Sequence, residues 1–381
     1  AYIGLAETYI ALGDADSAID ALEDGYEKTG SDEIYEMLED LDISDAEISS
    51  SEASDSDDAS AEAVTTGSQA ELPEEPIIIE SIPSEEAVQM LVDYWENGTQ
   101  PDMDRLKTAR SICITDDHGI TDISIFAELT NLESLIIFDN PISDLSALSG
   151  LTKLTEICIS SAQITDISPL KDMVNLTYLD FNINQISDIS PIMGLTALEH
   201  FSATSNDIKV IPDLSALSSL TYFNLENNSL EDISGIATVV GLTELNISSN
   251  EISDISALSG LVNMERLHIA SNHISDISAL SSMEQLYQLD MFNNSVSDIS
   301  ALAGKNKLYF LEAWNNDITD ISPLAGLESL DFVKLESNNI SDITPLMSTN
   351  IGTLYIGGNN ITEADVEQLK QVLPDCYVST L

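Results

Sequence analysis

The residues of this chain that could do chemistry are mostly carboxylates, since 67 of its 381 residues are Asp or Glu. Many of them are periodic, because an Asp recurs at intervals of 22 residues and is interrupted once, at Val210. The periodic positions are Asp122, Asp144, Asp166, Asp188, Asp232, Asp254, Asp276, Asp298, Asp320 and Asp342. An Asp repeated in this way could cap the free N–H groups of a short helical turn, or could bind a hard cation such as calcium. One carboxylate in each repeat favours capping, which needs no ion.

Neither acid–base nor nucleophilic catalysis is indicated by these residues. A carboxylate that occurs in every repeat is a poor candidate for a unique acid–base pair. The histidines show no ligand spacing and accompany no nucleophile motif; they are His118, His200, His268 and His273. The sequence therefore predicts a protein that is not an enzyme, with no catalytic residues, no cofactor and no metal site.

The three cysteines, Cys113, Cys158 and Cys376, are too few and too scattered for a disulfide framework or a thiolate metal site. Cys113 and Cys158 are expected at the same exposed strand position two repeats apart. Their backbones would then be about 10 Å from each other, which is beyond the reach of a disulfide. We therefore predict free thiols.

The overall charge excludes several classes of partner. Only 12 residues are Lys or Arg, so the formal net charge is −55. Nucleic-acid affinity comes largely from basic residues that displace counterions, and anionic membranes also attract basic segments. No stretch approaches the roughly 18 apolar residues of a membrane span. Because 43% of the residues are apolar, the chain nevertheless has enough of them to form a core.

The elements that position the carboxylates follow from the same period of 22 residues. In the repeat 242–258, Leu245 and Ile247 alternate with polar residues, as a strand with one buried face requires. Asn250 would turn the chain and satisfy backbone groups, and Asp254 would cap the short helical segment that follows. The Asn recurs at Asn140, Asn184, Asn206, Asn228, Asn250, Asn272, Asn294, Asn316, Asn338 and Asn359, with Ala162 in the one gap. This pattern predicts an α/β leucine-rich-repeat solenoid over 106–361, with twelve parallel strands and short helical or 3-10 turns on its convex side.

Two segments carry a resemblance to a known family most fully. They are Ile164-Thr165-Asp166-Ile167-Ser168-Pro169-Leu170 and Ile318-Thr319-Asp320-Ile321-Ser322-Pro323-Leu324. The repeats resemble those of the bacterial internalin-type leucine-rich-repeat proteins. The resemblance implies a curved, right-handed solenoid, usually exported or displayed on the cell surface, whose concave sheet grips a protein partner.

Two segments that precede the solenoid differ from it in composition. Residues 1–42 place small and large apolar residues at helical spacings, which resembles one tetratricopeptide repeat, and a lone repeat indicates that the chain is truncated upstream. Residues 43–80 are rich in Ser, Asp and Glu and are predicted to form a disordered acidic linker.

Both ends of the solenoid are predicted to have helical caps. In 81–105, Ser84 would cap a helix whose apolar side chains include Leu91 and Trp95. In 362–381, Thr362 and Asp365 resemble a capping box, which precedes the apolar residues Val366, Leu369 and Val372. The apolar side chains of these two helices are expected to cover the ends of the core.

Aromatic residues that point outward from the sheet are the candidate binding site. One predicted column contains Tyr178, His200 and Tyr222, and the same column later contains Phe310 and Phe332. Phe292 and Trp314 share a second column, and Tyr355 is predicted to lie between columns. Exposed aromatic side chains on a rigid surface are typical anchors for a protein partner, although they could instead pack on one another and stiffen the sheet. Acidic residues lie among them, with Lys334 as the main exception, so the partner should have a basic rim; the acids are Asp180, Asp290, Glu312 and Glu336.

The predicted function is that of a non-catalytic scaffold, a monomeric solenoid that binds a protein partner on its concave face at the bacterial cell surface. Two alternatives remain open. The chain could be an intracellular regulatory scaffold, similar to phosphatase-regulating leucine-rich-repeat proteins, and would then be cytoplasmic. It could also be the regulatory tail of a larger enzyme whose catalytic domain lies upstream.

Overall fold

The computed structural model describes residues 81–380. The predicted tetratricopeptide-like repeat at 1–42 and the acidic linker at 43–80 lie outside the described residues. Within 81–380, all strands form one parallel sheet in sequential order. The strands are β1 (Ser111–Ile114), β2 (Ser134–Phe138), β3 (Glu156–Ser160), β4 (Tyr178–Asp180), β5 (His200–Ser202), β6 (Tyr222–Asn224), β7 (Glu244–Asn246), β8 (Arg266–His268), β9 (Gln288–Asp290), β10 (Phe310–Glu312), β11 (Phe332–Lys334), β12 (Thr353–Tyr355) and β13 (Tyr377–Ser379).

Short helices complete the described chain. The α-helices are α1 (Ser84–Asn97), α2 (Met103–Leu106) and α3 (Glu363–Val372). Most connections between strands contain one turn of 3-10 helix. These turns are Ser124–Glu128, Ser146–Leu148, Ser168–Leu170, Ser190–Gly194, Ser234–Ile236, Ser256–Gly260, Ser278–Ser282, Ser300–Leu302, Ser322–Leu324 and Thr344–Ser348. The predicted solenoid of parallel strands and 3-10 turns is therefore confirmed.

The core is continuous along the whole stack. In each repeat the second residue of the strand and the residue two places after it point inward, as Leu245 in β7 and Ile247 just beyond β7 do, and both are fully buried. The Ile and Leu residues of the 3-10 segment, such as Ile255 and Leu258, close the core from the opposite side. Because each repeat has a 22-residue period, equivalent apolar side chains stack on one another from repeat to repeat.

The sheet has one strand more than the twelve predicted. After α3 the chain returns to the sheet, and β13 pairs in parallel with β12. Tyr377 lies beside Thr353, and Val378 lies beside Leu354. This strand belongs to the C-terminal cap and not to a repeat, so the 22-residue period does not predict it.

The buried Asn of each repeat connects that repeat to the one before it. The Oδ1 atom of Asn250 accepts the backbone N–H of Leu230 at 2.8 Å. Its Nδ2 donates to the carbonyl oxygens of Leu225 at 3.0 Å and of Ile247 at 3.1 Å. The same bonds recur at Asn184, Asn206, Asn228, Asn272, Asn294, Asn316 and Asn338. These amides satisfy backbone groups that the turn would otherwise leave buried and unpaired.

The periodic Asp residues cap the 3-10 turns, as the sequence predicted. Asp254 lies two residues before its turn begins, and its Oδ1 accepts the N–H of Ser256 at 2.8 Å. This bond from the Ser256 backbone lowers the pKa of Asp254. The bonds of the carboxylates are thus explained without any ion. Within 81–380, no three His, Cys, Asp or Glu side chains are grouped so that they could hold a metal.

One repeat departs from the pattern. Where the periodic Asp is replaced by Val210, no 3-10 turn follows, but Asp213 makes the equivalent bond three residues later, since its carboxylate accepts the N–H of Ser215 at 3.0 Å. The irregular backbone approaches the next repeat so closely that a Cβ atom on Gly235 would lie 2.0 Å from the carbonyl oxygen of Pro212. Glycine at 235 is therefore required by the repeat that precedes it.

The N-terminal cap differs in one respect from the prediction. Ser84 is the first residue of α1 and not its N-cap, because Pro83 occupies that position and no side chain caps the helix. Proline fixes the backbone near the helix start without needing a donor of its own, so a side-chain cap is not required for α1 to begin there. The helix covers the first repeat with Ala87 and Leu91, which are fully buried.

The C-terminal cap has the predicted capping box. The Thr362 hydroxyl accepts the N–H of Asp365, and the Asp365 carboxylate accepts the N–H of Thr362. Leu369 is buried against the last repeat. Val372 was predicted to share this apolar stripe, but it is 48% exposed because it lies at the end of the helix.

Ala162 leaves one turn without its amide. In the neighbouring repeats, the side chain of the Asn in the following repeat accepts a backbone N–H of the turn, as Asn184 accepts that of Ile164. Ile142 is the equivalent of Ile164 in the preceding repeat, and Ala162 cannot accept its N–H. The N–H of Ile142 instead donates to the carbonyl oxygen of Asn140 at 2.7 Å. We expect Ala162→Asn to raise the free energy of unfolding by about 1 kcal/mol, because it supplies the missing acceptor and donor. Denaturant unfolding measures this change. Asn250→Ala, the reverse change, should destabilise the chain, and a loss of stability in Ala162→Asn would contradict the interpretation.

Ile183 occupies a backbone conformation that suits Asn, Gly or Ser. One residue in each turn has a positive φ, and Ile183, at φ 56°, is the only β-branched residue among those in the described chain. It is 49% exposed, so its side chain contributes little to the core. We expect Ile183→Asn to stabilise the fold by about 1 kcal/mol, since the left-handed region costs a residue with a bulky Cβ roughly that much. Thermal unfolding tests this, with Ser205→Ile as the matched change that should lower the melting temperature.

Candidate functional site

The outer face of the sheet is built from the first, third and fifth positions of each strand. The first-position column runs through Tyr178, His200, Tyr222, Glu244, Arg266, Gln288, Phe310 and Phe332. The third-position column runs through Cys158, Asp180, Ser202, Asn224, Asn246, His268, Asp290, Glu312, Lys334 and Tyr355. The fifth-position column lies just beyond the strands and includes Phe292, Trp314 and Glu336. The predicted columns are therefore present.

A tyrosine–histidine stack occupies the first-position column of β4, β5 and β6. The ring of His200 lies between those of Tyr178 and Tyr222, with 4.0 Å between centroids on each side and interplanar angles of 9° and 5°. Burial lowers the pKa of His200 to about 3. The imidazole is therefore neutral at physiological pH and acts as a third flat ring in the stack.

A second group of rings, the aromatic patch, consists of Phe292, Phe310, Trp314, Phe332 and Tyr355. Phe310 and Phe332 stack in the first-position column at 4.6 Å with an interplanar angle of 1°. Phe292 and Trp314 stack in the fifth-position column at 4.4 Å and 7°. All five side chains are partly exposed, so each ring pair offers apolar surface at the outer face.

Tyr355 and Lys334 extend the Phe310–Phe332 pair of the patch. Tyr355 was predicted between columns, but it lies directly beside Lys334 in the third-position column. The last repeat is one residue shorter than the others, and this shift brings Tyr355 into the column. The ammonium group of Lys334 lies 5.1 Å from the ring centroid of Phe332 and 5.8 Å from that of Tyr355, within cation–π range.

The carboxylates among these rings are largely enclosed. Glu312 holds the ammonium group of Lys334 at 2.6 Å. Burial alone would lower the pKa of Lys334, but the hydrogen bond and charge of Glu312, with the charge of Glu336, together raise it. Asp290 accepts from His268 Nδ1 at 2.5 Å through its Oδ2 atom. The first buried acid of this column, Asp180, lies beside the tyrosine–histidine stack and has its pKa raised by burial.

The cysteine register is confirmed, but the predicted exposure is wrong for Cys158. Cys113 and Cys158 share the third-position column, with Ile136 between them. All three cysteines are free thiols, as predicted. Cys158 is buried, because side chains on strands about 4.8 Å apart cover a small thiol. Burial raises the pKa of Cys113 to about 11 and raises that of Cys158 well above its usual range.

Sequence reasoning missed a further pair of stacked aromatic residues. Tyr287 and Tyr309 lie just before β9 and β10 and stack at 5.3 Å with an interplanar angle of 2°. They line an open groove of about 550 Å³ at the edge of the sheet, together with Arg266 and Lys307. The two tyrosines are 22 residues apart, and this spacing could have predicted that they stack. They were overlooked because they lie outside the strands, where outward-pointing residues were sought.

Comparison with known proteins agrees with this geometry. The family model described as leucine-rich repeats in two copies matches residues 130–172, 152–195, 240–282 and 262–304. These segments are leucine-rich repeats. A comparison with curated protein sequences finds no match.

Solved structures of other leucine-rich-repeat proteins are similar to the described repeats. The internalin inlF from Listeria monocytogenes has a TM-score of 0.62 at 26% identity, over 79% of this chain and 96% of that chain. A leucine-rich-repeat protein of Leptospira interrogans has a TM-score of 0.60 at 17% identity, over 79% of this chain and 81% of that one. A plant peptide hormone receptor, solved in complex with RGF2, has a TM-score of 0.59 at 20% identity, over 74% and 52%. The last two show the shared fold alone.

The described helices have no membrane-spanning character. In 81–380, none of them combines the length and the apolar composition that a bilayer span would need.

The stack around His200 predicts a specific pH dependence. The folded pKa of about 3 lies below the ordinary value of 6.5, so the unfolded chain binds the proton more readily. The contribution of His200 to stability is therefore complete above pH 6.5 and is lost as the pH falls from 6.5 towards 3.

We expect the Cε1–H resonance of His200, followed by NMR, to remain that of the neutral ring down to about pH 4. His200→Phe keeps a stacked ring but removes the proton site, so its unfolding free energy should depend less on pH. A His200 midpoint near 6.5 would contradict this account.

Proposed function

We propose that this chain is a non-catalytic scaffold that binds a protein partner on the outer face of its sheet. The aromatic patch is the main contact in this proposal, and the tyrosine–histidine stack is a second contact on the same face. The observation that carries the proposal is the arrangement of Phe292, Trp314, Phe310 and Phe332 as two stacked, partly exposed pairs.

Rigid aromatic side chains are efficient anchors for a partner. The rings of the patch are fixed by parallel stacking on neighbouring strands, so binding costs them little further conformational entropy. Aromatic side chains that lose their remaining exposure at the centre of an interface are frequent hot spots. The face is also continuous over successive strands, which suits a protein surface better than a small molecule.

The charge of the patch favours a partner with basic groups. Glu312, Asp290 and Glu336 lie among the rings, and Lys334 is already paired with Glu312. A partner that presents Lys or Arg around apolar side chains would be complementary to this surface.

The comparisons support a binding role. Leucine-rich-repeat proteins commonly act as protein-interaction scaffolds, and one similar structure is a plant peptide hormone receptor in complex with RGF2. The similarity to a Listeria internalin, which extends over nearly all of that chain, supports an extracellular or cell-surface location for this protein. We propose that location together with the binding function.

Removal of three rings tests the proposed contact. The full chain is immobilised, a captured extracellular protein is purified, and its affinity is measured by calorimetry. We expect Phe310→Ala, Trp314→Ala and Phe332→Ala together to weaken binding at least 100-fold, because hot-spot residues typically contribute about 2 kcal/mol or more each.

The matched control removes exposed apolar side chains from elsewhere on the solenoid. Val174, Val240 and Val262 are about half exposed and lie outside the strands. Their combined change to Ala should leave affinity unchanged, and both triple variants should unfold at similar temperatures. Unchanged affinity in a folded aromatic variant would refute the assignment of the patch.

A further inference from the structure

Two carboxylate oxygens in the aromatic patch lack a hydrogen-bond partner. Among the described residues, the buried side-chain nitrogen and oxygen atoms without a partner are Asp290 Oδ1 and Glu336 Oε2. Nearly all buried polar atoms in folded proteins have a partner, so each exception needs an explanation. Both exceptions are acceptors, both lie on the outer face, and both border the Phe292–Trp314 stack.

The neighbouring groups do not supply the missing donors. Asp290 uses its other oxygen, Oδ2, to accept from His268 and from Gln288 at 3.3 Å. Lys334 lies two residues before Glu336, but its ammonium group is held by Glu312. The remaining neighbours on the face are aromatic side chains; Trp314 and Tyr355 carry N–H and O–H donors, but neither is bonded to these two oxygens.

The two carboxylates lie on different strands of the outer face. Asp290 is at the third position of β9, and Glu336 is at the fifth position beyond β11. Two strand spacings and two residues along the strand separate their backbones by about 12 Å. Each carboxylate has its own ring beside it, because Phe292 follows Asp290 on the same face and Trp314 precedes Glu336 in the fifth-position column.

We infer that the partner binds through two cationic side chains, Arg or Lys, one on Asp290 and one on Glu336, each lying against an aromatic ring. This inference rests on the proposed function and specifies the chemistry of the partner at that site. Lys334 shows the arrangement within the chain itself, since its ammonium group pairs with a carboxylate and lies over two rings. Arg fits best, because its planar guanidinium group can donate two bonds to a carboxylate and stack on a ring.

The test uses peptides as probes of the full chain. Twelve-residue peptides are selected from a random display library, with the Phe310/Trp314/Phe332→Ala variant as the counter-selection. Affinity for the wild type and the carboxylate variants is followed by tryptophan fluorescence in a Trp95→Phe background, and affinity for the aromatic variant, which lacks Trp314, is measured by calorimetry. The chain has two Trp residues, and Trp95 lies in α1, where it donates to the carbonyl oxygen of Asp122. The remaining signal therefore comes from Trp314.

We expect the selected peptides to contain at least two Arg or Lys residues. Asp290→Asn and Glu336→Gln should each weaken binding at least 10-fold, and the double variant at least 100-fold. A peptide with citrulline in place of Arg should lose affinity by a similar factor. Asp317→Asn and Glu328→Gln make the same charge change at exposed positions away from the face and should have no effect.

Stability separates a binding role from a structural one. Asp290→Asn keeps one oxygen that can accept from His268, and Glu336→Gln replaces a carboxylate that has an unpartnered oxygen, so each change should leave the melting temperature unchanged or raise it. A lowered melting temperature would overturn the inference, because it would show that the carboxylates hold the sheet together.

The outcomes also separate this inference from the proposed function. Peptides that lose binding in the aromatic variant but bind the two carboxylate variants normally would overturn the inference and leave the proposed function intact. If no peptide survives the counter-selection against the aromatic variant, both are overturned.

Discussion

The fold depends on one constraint, the need to satisfy backbone groups that each turn would bury. The Asn of every regular repeat meets this need, and it does so partly through groups of the preceding repeat, as Asn250 does with Leu225 and Leu230. The stacking distance and register of neighbouring strands are therefore set together. Because the register is fixed, a residue at a given strand position lies directly beside its equivalents. The parallel rings of the tyrosine–histidine stack and of the aromatic patch are a consequence of this alignment.

The same alignment explains how so acidic a chain remains folded. The periodic Asp residues, such as Asp254, are exposed to solvent, and each carboxylate accepts a backbone N–H. Their charged form therefore stabilises the turns. The carboxylates of the outer face have a different environment, since they lie among rings and are mostly enclosed. Acid on the turns therefore supports the structure, whereas Glu336 on the outer face has a carboxylate oxygen that no group of the described chain satisfies.

Much of the fold could be predicted because it is periodic. The period of 22 residues identifies the core positions, the turn amides, the Asp caps and the columns of the outer face, including the pairing of Phe310 with Phe332. Features that break the period could not be derived in this way. The shortened last repeat moves Tyr355 into a column, and β13 follows a helix instead of a repeat. The burial of Cys158 and the absence of partners for two carboxylate oxygens depend on side-chain packing, which residue spacing does not report.

The irregular repeat around Pro212 affects the cooperativity with which the solenoid unfolds. Stacked repeats contact only their neighbours, so the cooperativity of unfolding is transmitted from one interface to the next. No 3-10 turn lies between β5 and β6, and the close approach at Gly235 replaces the usual contact. This interface divides the described sheet into a first block of five strands, β1 to β5, and a second block of eight, β6 to β13. The tyrosine–histidine stack bridges that division through His200 and Tyr222, whereas the aromatic patch lies wholly within the second block and keeps its geometry as long as that block stays folded.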